Sequence, residues 1–438
     1  MDPLALGLLI AVVTIIVLFS GISVAIGLLT VSAMFLFIFD GVRSLELIPE
    51  VLFGKLDSFA LLSIPMFIIM GASISSTRAG ADLYEALERW LTRIPGGLVI
   101  SNLGACALFA AMSGSSPATC AAIGKLGIPE MRKRGYPDGI ATGSIAAGGT
   151  LGILIPPSIT MIVYGIATET SIGRLFLAGV IPGIMLMGLF MAWSIYATWV
   201  SGGRSAMAQA SYSWQERLEI LPRVLPFIVI ILGVLYTMYG GVATPSETAA
   251  VGALLCLVVA MIIYKLTSLA ALWAILRDST KESVMILFII AAAGVFSYML
   301  SSLYITQSIA EWISNLDVNR WTLMIAINVF LIIAGFFLPP VAVILMTAPI
   351  LLPVITGAGF DPIWFAVVLT INMEIGLISP PVGLNLYVIN GIAPDISLRT
   401  ILMGSLPFVA CMLIAIVLLC LFPGLATWLP DAVMGQAL

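Results

Sequence analysis

Gly152-Ile153-Leu154-Ile155-Pro156-Pro157-Ser158 and Gly376-Leu377-Ile378-Ser379-Pro380-Pro381-Val382 each interrupt a long apolar run, and they share the spacing Gly-x3-Pro-Pro at an offset of 224 residues. A Pro-Pro pair inside a helix removes two backbone donors and drives its rings into the preceding turn. Two more apolar runs are broken in kind, at Ser113-Gly114-Ser115-Ser116-Pro117 and at Gly335-Phe336-Phe337-Leu338-Pro339-Pro340. The four runs cover 97–129, 139–170, 322–357 and 362–393. A carbonyl freed in hydrocarbon is costly unless something satisfies it. A simple Pro kink explains any one break; four together point to a site.

That the surroundings are hydrocarbon follows from composition. Of 438 residues 61% are hydrophobic and only 9% charged, with a mean hydropathy of +1.17. A soluble domain carries about a quarter charged residues, so the chain reads as a polytopic membrane protein. Unbroken spans are expected at 3–20, 21–40, 59–77, 175–199, 223–241, 246–265, 282–303 and 400–422. The first, preceded only by Met1 and Asp2, reads as a retained helix rather than a signal peptide. Histidine is absent, which removes His metal sites, Ser-His-Asp triads and His proton relays. With no GxxxxGK[ST] loop there is no sign of an ATP-driven pump, and with no basic patch none of nucleic-acid binding. Cys106, Cys120, Cys256, Cys411 and Cys420 lie in apolar stretches without a CxxC spacing and read as small core residues.

Positive charges orient the spans. If 97–129 is a hairpin with both feet in the cytoplasm, Arg89 and Arg93 flank its entry and Arg132-Lys133-Arg134 its exit. If 322–357 is a second hairpin with both feet outside, only Arg43, Lys55, Arg174 and Arg320 of the 18 Lys and Arg fall outside. The repeat extends beyond the breaks. Pro117 matches Pro340, Arg174-x4-Gly179-x2-Pro182 matches Arg399-x4-Gly404-x2-Pro407, and Val24-Ala-Ile-Gly27 matches Ala249-Ala-Val-Gly252, all at offsets of 223 to 225. Arg174 outside and Arg399 inside make the halves inverted. Inverted repeats with discontinuous helices are characteristic of secondary transporters, with the site at the breaks.

The residues at the breaks suit an anion and a monovalent cation together. Ser115 reads as an N-cap before a half-helix opened by Pro117, and Ser158 as an N-cap after Pro156-Pro157; Pro340 and Pro381 open the equivalent half-helices. Positive helix ends converging at midplane attract an anion. Carbonyls and Ser hydroxyls form a neutral oxygen cage for Na⁺, and no carboxylate cluster favours a divalent ion. Glu374 lies deep in the last broken run and reads either as a site residue or as a carboxylate facing a wet crevice or pairing locally. Asn372, Asn385 and Asn390 surround the same break without an order among them. Glu247 reads as a helix cap. Ser113, Gly114, Ser158, Glu374 and Asn385 form the expected substrate-facing set.

Ser113-Gly-Ser-Ser-Pro-Ala-Thr119, Gly149-Thr-Leu-Gly-Ile-Leu-Ile-Pro-Pro-Ser158, Thr244-Pro-Ser-Glu-Thr-Ala-Ala250 and Asn372-Met-Glu-Ile-Gly-Leu-Ile-Ser-Pro-Pro-Val-Gly383 together resemble the large permease subunit of the tripartite ATP-independent periplasmic (TRAP) transporters. The resemblance covers essentially the whole chain. It implies an all-α elevator-type transporter with inverted repeats, two re-entrant helical hairpins and two broken helices, sitting in the bacterial inner membrane. It implies a Na⁺-coupled importer of a small organic acid, with a C4-dicarboxylate-like substrate favoured. The partners would be a periplasmic substrate-binding protein and a small four-helix membrane subunit. Na⁺ is the coupling ion, and no other cofactor is implied. Carried over by motif, one Na⁺ site would use Ser115, Ser116, Gly152, Ile155 and Pro157, and the other Gly335, Gly376, Ser379 and Val382. At Pro339 and Ser379 the chain departs from the Asp and Thr that many relatives carry.

The expected division is 1–58 and 223–265 as scaffold helices of the two repeats, with 59–96 and 266–321 as crossing helices with amphipathic arms (78–95 and 266–281). The ranges 97–170 and 322–393 form the transport domain, 171–222 a scaffold helix and linker, and 394–438 a last scaffold helix and tail. The main rival from another class is an ion or anion channel. An enzyme is not expected, since Ser115 and Ser116 have no nearby base in sequence.

Overall fold

A computed structural model describes residues 2–91, 96–200, 212–315 and 318–435. Arg93 and the Gly202-Gly203-Arg204 part of the expected linker lie outside the described residues. Among the described residues every regular element is helical. The first half holds α1 (Pro3–Phe19), α2 (Val24–Asp40), α3 (Val42–Leu45), α4 (Ile48–Leu56), α5 (Ser63–Ser75), α6 (Ala79–Leu91), α7 (Gly97–Ser113), α8 (Ser116–Lys133), α9 (Asp138–Thr150), α10 (Ile159–Thr168) and α11 (Ile172–Val200). The second half holds α12 (Trp214–Tyr239), α13 (Pro245–Ile262), α14 (Leu269–Ser302), α15 (Ile305–Ser314), α16 (Arg320–Phe337), α17 (Pro340–Gly357), α18 (Pro362–Leu377), α19 (Leu384–Ile392), α20 (Leu398–Leu421) and α21 (Gly424–Met434). Among the described residues seven single helices are long and apolar enough to span a bilayer, and the pair 42–56 and 59–75, bent by 61°, adds an eighth. The chain is a polytopic membrane protein.

All four breaks fall where Pro and Gly interrupt the runs. α7 gives way to α8 at Gly114-Ser115, α9 to α10 across 151–158, α16 to α17 at Leu338-Pro339, and α18 to α19 across 378–383. The Pro156-Pro157 and Pro380-Pro381 bonds are both cis. Two boundaries differ from the sequence reading. The stretch 266–281 is not a separate arm: from Leu269 it forms the first turns of a single 34-residue helix. The linker ends at Ser213, whose side chain and Glu216 form a capping box that starts α12 within the expected linker.

Both hairpins are re-entrant, as their feet show. Arg134, just past α8, pairs with Glu88, just before α7, so the chain enters and leaves the first hairpin at one face. At the second, the Trp321 and Phe360 rings meet at 5.3 Å, joining the start of α16 to the segment after α17. The helix α20 then shows that the two faces are opposite. Arg132 on the first foot lies 2.6 Å from Asp395, three residues before α20; its guanidinium holds that carboxyl below the usual range. Near the second foot, the Trp364 indole N–H donates to the Leu419 carbonyl at the far end of the same helix, at 2.8 Å. Its 24 residues span about 36 Å. The repeats are inverted.

Packing follows the repeat. α2 packs on α14 and, in the other half, α13 packs on α5. The inner elements are interlocked across the halves, with α10 against α17 and α19 against α8. Every residue of α18 from Ile363 to Leu377 is buried, whereas α12 exposes Leu218, Leu225, Leu232 and Tyr236, as a lipid-facing helix does. The placement of two helices differs from the sequence grouping. α11 and α20, expected with the scaffold, pack chiefly on α7, α9, α18, α19, α21 and each other, rather than on α1, α2, α12 or α13. Small residues allow this: a Cβ at Gly404 of α20 would stand 2.0 Å from the Gly139 carbonyl of α9. Their lack of Pro-Pro breaks had made them look like wall helices.

Candidate functional site

The first hairpin tip, residues 113–116, lies in the notch of the first broken helix. The left-handed Gly114 (φ +58°) turns the chain so that a Cβ there would stand 3.1 Å from the Pro157 carbonyl oxygen. From the other side, a Cβ at Gly152 would stand 3.0 Å from the Ser115 carbonyl group and 3.2 Å from the Ser116 nitrogen. Glycines therefore let backbone meet backbone. The structure brings Ser115, Ser116, Gly152 and Pro157 together, with Gly114 among them. Ile155, next to them in sequence, packs its side chain on Gly183 of α11.

The hydroxyls of this tip have distinct roles. Ser158 caps α10, accepting the Met161 N–H at 3.2 Å, and donates to the Ile153 carbonyl. Ser115 occupies the N-cap position of α8, but its side chain makes no capping bond, which corrects the expected role of its hydroxyl. Ser116 begins the helix and Pro117 follows it. Ser113 is held 3.0 Å from Thr119, which also donates to the Ser115 carbonyl at 2.9 Å. Thr119 was not singled out from the sequence, where it looks like any small helix residue. Asn385, from the other half, donates to Ser116 Oγ at 2.7 Å and to the Ala146 carbonyl at 3.1 Å.

The second tip is built by the same backbone contacts and poorer chemistry. A Cβ at Gly376 would stand 2.3 Å from the Gly335 carbonyl oxygen, and the Val382 N–H donates to the Phe336 carbonyl at 3.3 Å. Gly335, Gly376 and Val382 thus come together. Ser379 is buried in the same loop, its carbonyl 2.9 Å from a Cβ built on the left-handed Gly383. Pro340 starts α17 as expected, but Pro381 does not start α19; the helix resumes only at Leu384. The tip residues Phe336, Phe337, Leu338 and Pro339 offer no side-chain oxygen.

Glu374 is fully buried, and neither carboxylate oxygen has a hydrogen-bond partner. Asn372, Met373 and Gly376 face Gly335; at about 100° per residue Glu374 lies on the opposite side of α18. It is not at the second tip. Asn372 instead donates to Asn328 of α16 at 2.6 Å, a pairing that spacing does not reveal. Asn390 donates to the Ile396 carbonyl at 3.0 Å, away from both tips. Glu247 caps α13 through Thr244.

Residues 10–425 match the family described as tripartite ATP-independent periplasmic transporter, DctM component. A C4-dicarboxylate TRAP transporter large permease protein of Pseudomonas aeruginosa is 39% identical over 407 residues, 93% of this chain and 94% of that one. An isethionate TRAP transporter permease protein, DctMQ, of Oleidesulfovibrio alaskensis is 31% identical over 92% of this chain, which spans 63% of its length. Among solved structures, the YdaH transporter of Alcanivorax borkumensis superposes with a TM-score of 0.67 at 16% identity, over 95% of this chain and 99% of that one. That likeness is one of fold. On sequence, the chain belongs to the TRAP transporters as a DctM component, the large membrane subunit.

Proposed function

We propose that the chain imports a small organic acid anion, a C4-dicarboxylate first among the candidates, driven by Na⁺. Membership in a transporter family leaves no role for the channel alternative. The observation that carries the reading is the paired arrangement of two Gly-lined hairpin tips against two helix breaks. Each tip juxtaposes backbone carbonyls with few or no charges, which suits a desolvated monovalent cation. Na⁺ would be held by Ser115, Ser116, Gly152, Ile155 and Pro157 at the first tip, and by Gly335, Gly376, Ser379 and Val382 at the second. The substrate would lie between, near Ser113, Gly114 and Ser158, where half-helix N-termini favour negative charge. The dicarboxylate preference rests on the P. aeruginosa relative.

In this account the interlocked elements 97–200 and 320–421 move as one body. The wall is α1, α2, α5, α12, α13 and α14, to which α6 is tied by Arg89, which donates to the Glu216 carbonyl at 2.6 Å, and by Trp90, which donates to the Arg217 carbonyl at 3.3 Å. A periplasmic binding protein delivers the substrate, and a small membrane subunit packs on the wall, in the bacterial inner membrane. The test is uptake into proteoliposomes containing this chain and its small subunit, with the binding protein and a labelled C4-dicarboxylate outside. Accumulation should require an inward Na⁺ gradient. Undiminished accumulation with K⁺ in place of Na⁺ would overturn the coupling.

A further inference from the structure

Asn385 is fully buried, and its amide orientation is fixed by its neighbours. The Ala146 carbonyl can only accept, so the Asn385 nitrogen faces it, and the same nitrogen donates to Ser116 Oγ. Both N–H donors are thereby used. What remains is Oδ1, which is buried and has no partner. Left unmatched, such an oxygen destabilises the fold unless something electropositive meets it. It cannot serve a carboxylate, which is itself an acceptor. This argues against the substrate-facing role expected for Asn385.

The oxygen is one amide width from a nitrogen that already touches Ser116, a residue of the first tip. Asn385 is carried by α19, which also inserts Ile389 and Ile392 against Gly124 of α8. At the offset of 224 that aligns the broken helices, Asn385 corresponds to Met161, and at the offset of 223 that aligns Pro117 with Pro340, Ser116 corresponds to Pro339. The polar pair at the first tip is thus matched by Met and Pro at the second, so the two tips are chemically unequal. We infer that Asn385 supplies Oδ1 to the cation held at the first hairpin tip, so that this site is completed by the second repeat and binds Na⁺ more tightly than the second. A cation there also holds α19 against α8, tying the two halves together while the ion is bound.

This inference rests on the proposed Na⁺ coupling, and its test separates the two. The purified chain with its small subunit is titrated with NaCl at constant ionic strength, with choline as the replacement. The Na⁺-dependent rise in thermal unfolding midpoint and direct ²²Na⁺ binding are both read. Asn385→Leu removes the oxygen at similar volume and should weaken the tighter site at least about tenfold. Asn385→Asp loses the amide donors but keeps an oxygen facing the ion, and should bind Na⁺ within about threefold of the parent or more tightly. If Asn385 only positioned Ser116, both variants would weaken the site equally, and that result overturns the inference. So does an unchanged Na⁺ midpoint in Asn385→Leu. Should that variant not fold, Asn385→Ala carries the same expectations. No Na⁺ response in the parent protein would instead sink the coupling itself.

Discussion

Gly71 in α5 lies directly on the main chain of Ser113 at the first hairpin tip: a Cβ on Gly71 would stand 2.6 Å from the Ser113 carbonyl oxygen and 2.9 Å from its Cα. The helix α5 therefore meets the first hairpin tip main chain to main chain, across the proposed boundary between wall and moving body. Gly71→Ala must push these elements apart, at a cost of about 1–3 kcal/mol. Uptake should fall severalfold or more while the protein still assembles. Gly188→Ala, with nothing within 4 Å of the added methyl, should leave both uptake and thermal stability unchanged. Equal effects of the two substitutions would remove the significance of this contact.

The proposed second cation site has few side-chain oxygens to lose. Ser379 is the hydroxyl in its loop, buried and three residues after Gly376. Ser379→Ala should raise the Na⁺ concentration for half-maximal uptake about ten- to hundredfold, the equivalent of about 1–3 kcal/mol for one lost ligand. An unchanged Na⁺ dependence with normal expression would place the second ion elsewhere.

Thr244 and Glu247 form a full capping box at the start of α13, with the Glu247 carboxylate accepting the Thr244 N–H at 2.8 Å. Thr244→Ala should cost about 0.5–2 kcal/mol of stability, seen as a lower unfolding midpoint in detergent. The Na⁺ concentration for half-maximal uptake should not change. A shift in that value would make Glu247 or its cap part of an ion site.

Arg89 and Arg134 flank the first hairpin, and Glu88 beside the former pairs with the latter. Single cysteines at the two positions should react with a membrane-impermeant reagent from the cytoplasmic side only. Labelling from opposite sides would make 97–133 a crossing and undo the inversion of the repeats.

The breaks were legible because Pro and Gly disrupt a helix by covalent geometry, whatever surrounds them. The inversion was legible because charged residues are expensive in lipid and so sort by side. Other features depend on the partner surface. Gly71 is one small residue in an apolar run, and nothing nearby marks Ser113, 42 positions away, as its neighbour. Asn385 looked equivalent to Asn372 and Asn390 until packing gave each a different partner. The siding of α11 and α20 is decided by close glycine contacts such as Gly139 with Gly404, which hydropathy does not register.

The central claim is that the hairpins and broken helices move together against a fixed wall, and paired cysteines test it most directly. A Cβ at Gly80 of α6 would stand 3.4 Å from the Ala122 Cβ of α8, close to disulfide range, across the proposed boundary. A Cβ at Gly148 of α9 would stand 3.0 Å from the Cβ of native Cys106 in α7, within the proposed moving body. Uptake is compared for each variant oxidised and then reduced. Oxidised Gly80→Cys/Ala122→Cys should lose uptake and regain it on reduction, while oxidised Gly148→Cys should transport as well as its reduced form. Tolerance of the first crosslink together with loss of uptake from the second would contradict the account and favour a gate that opens between hairpin and broken helix.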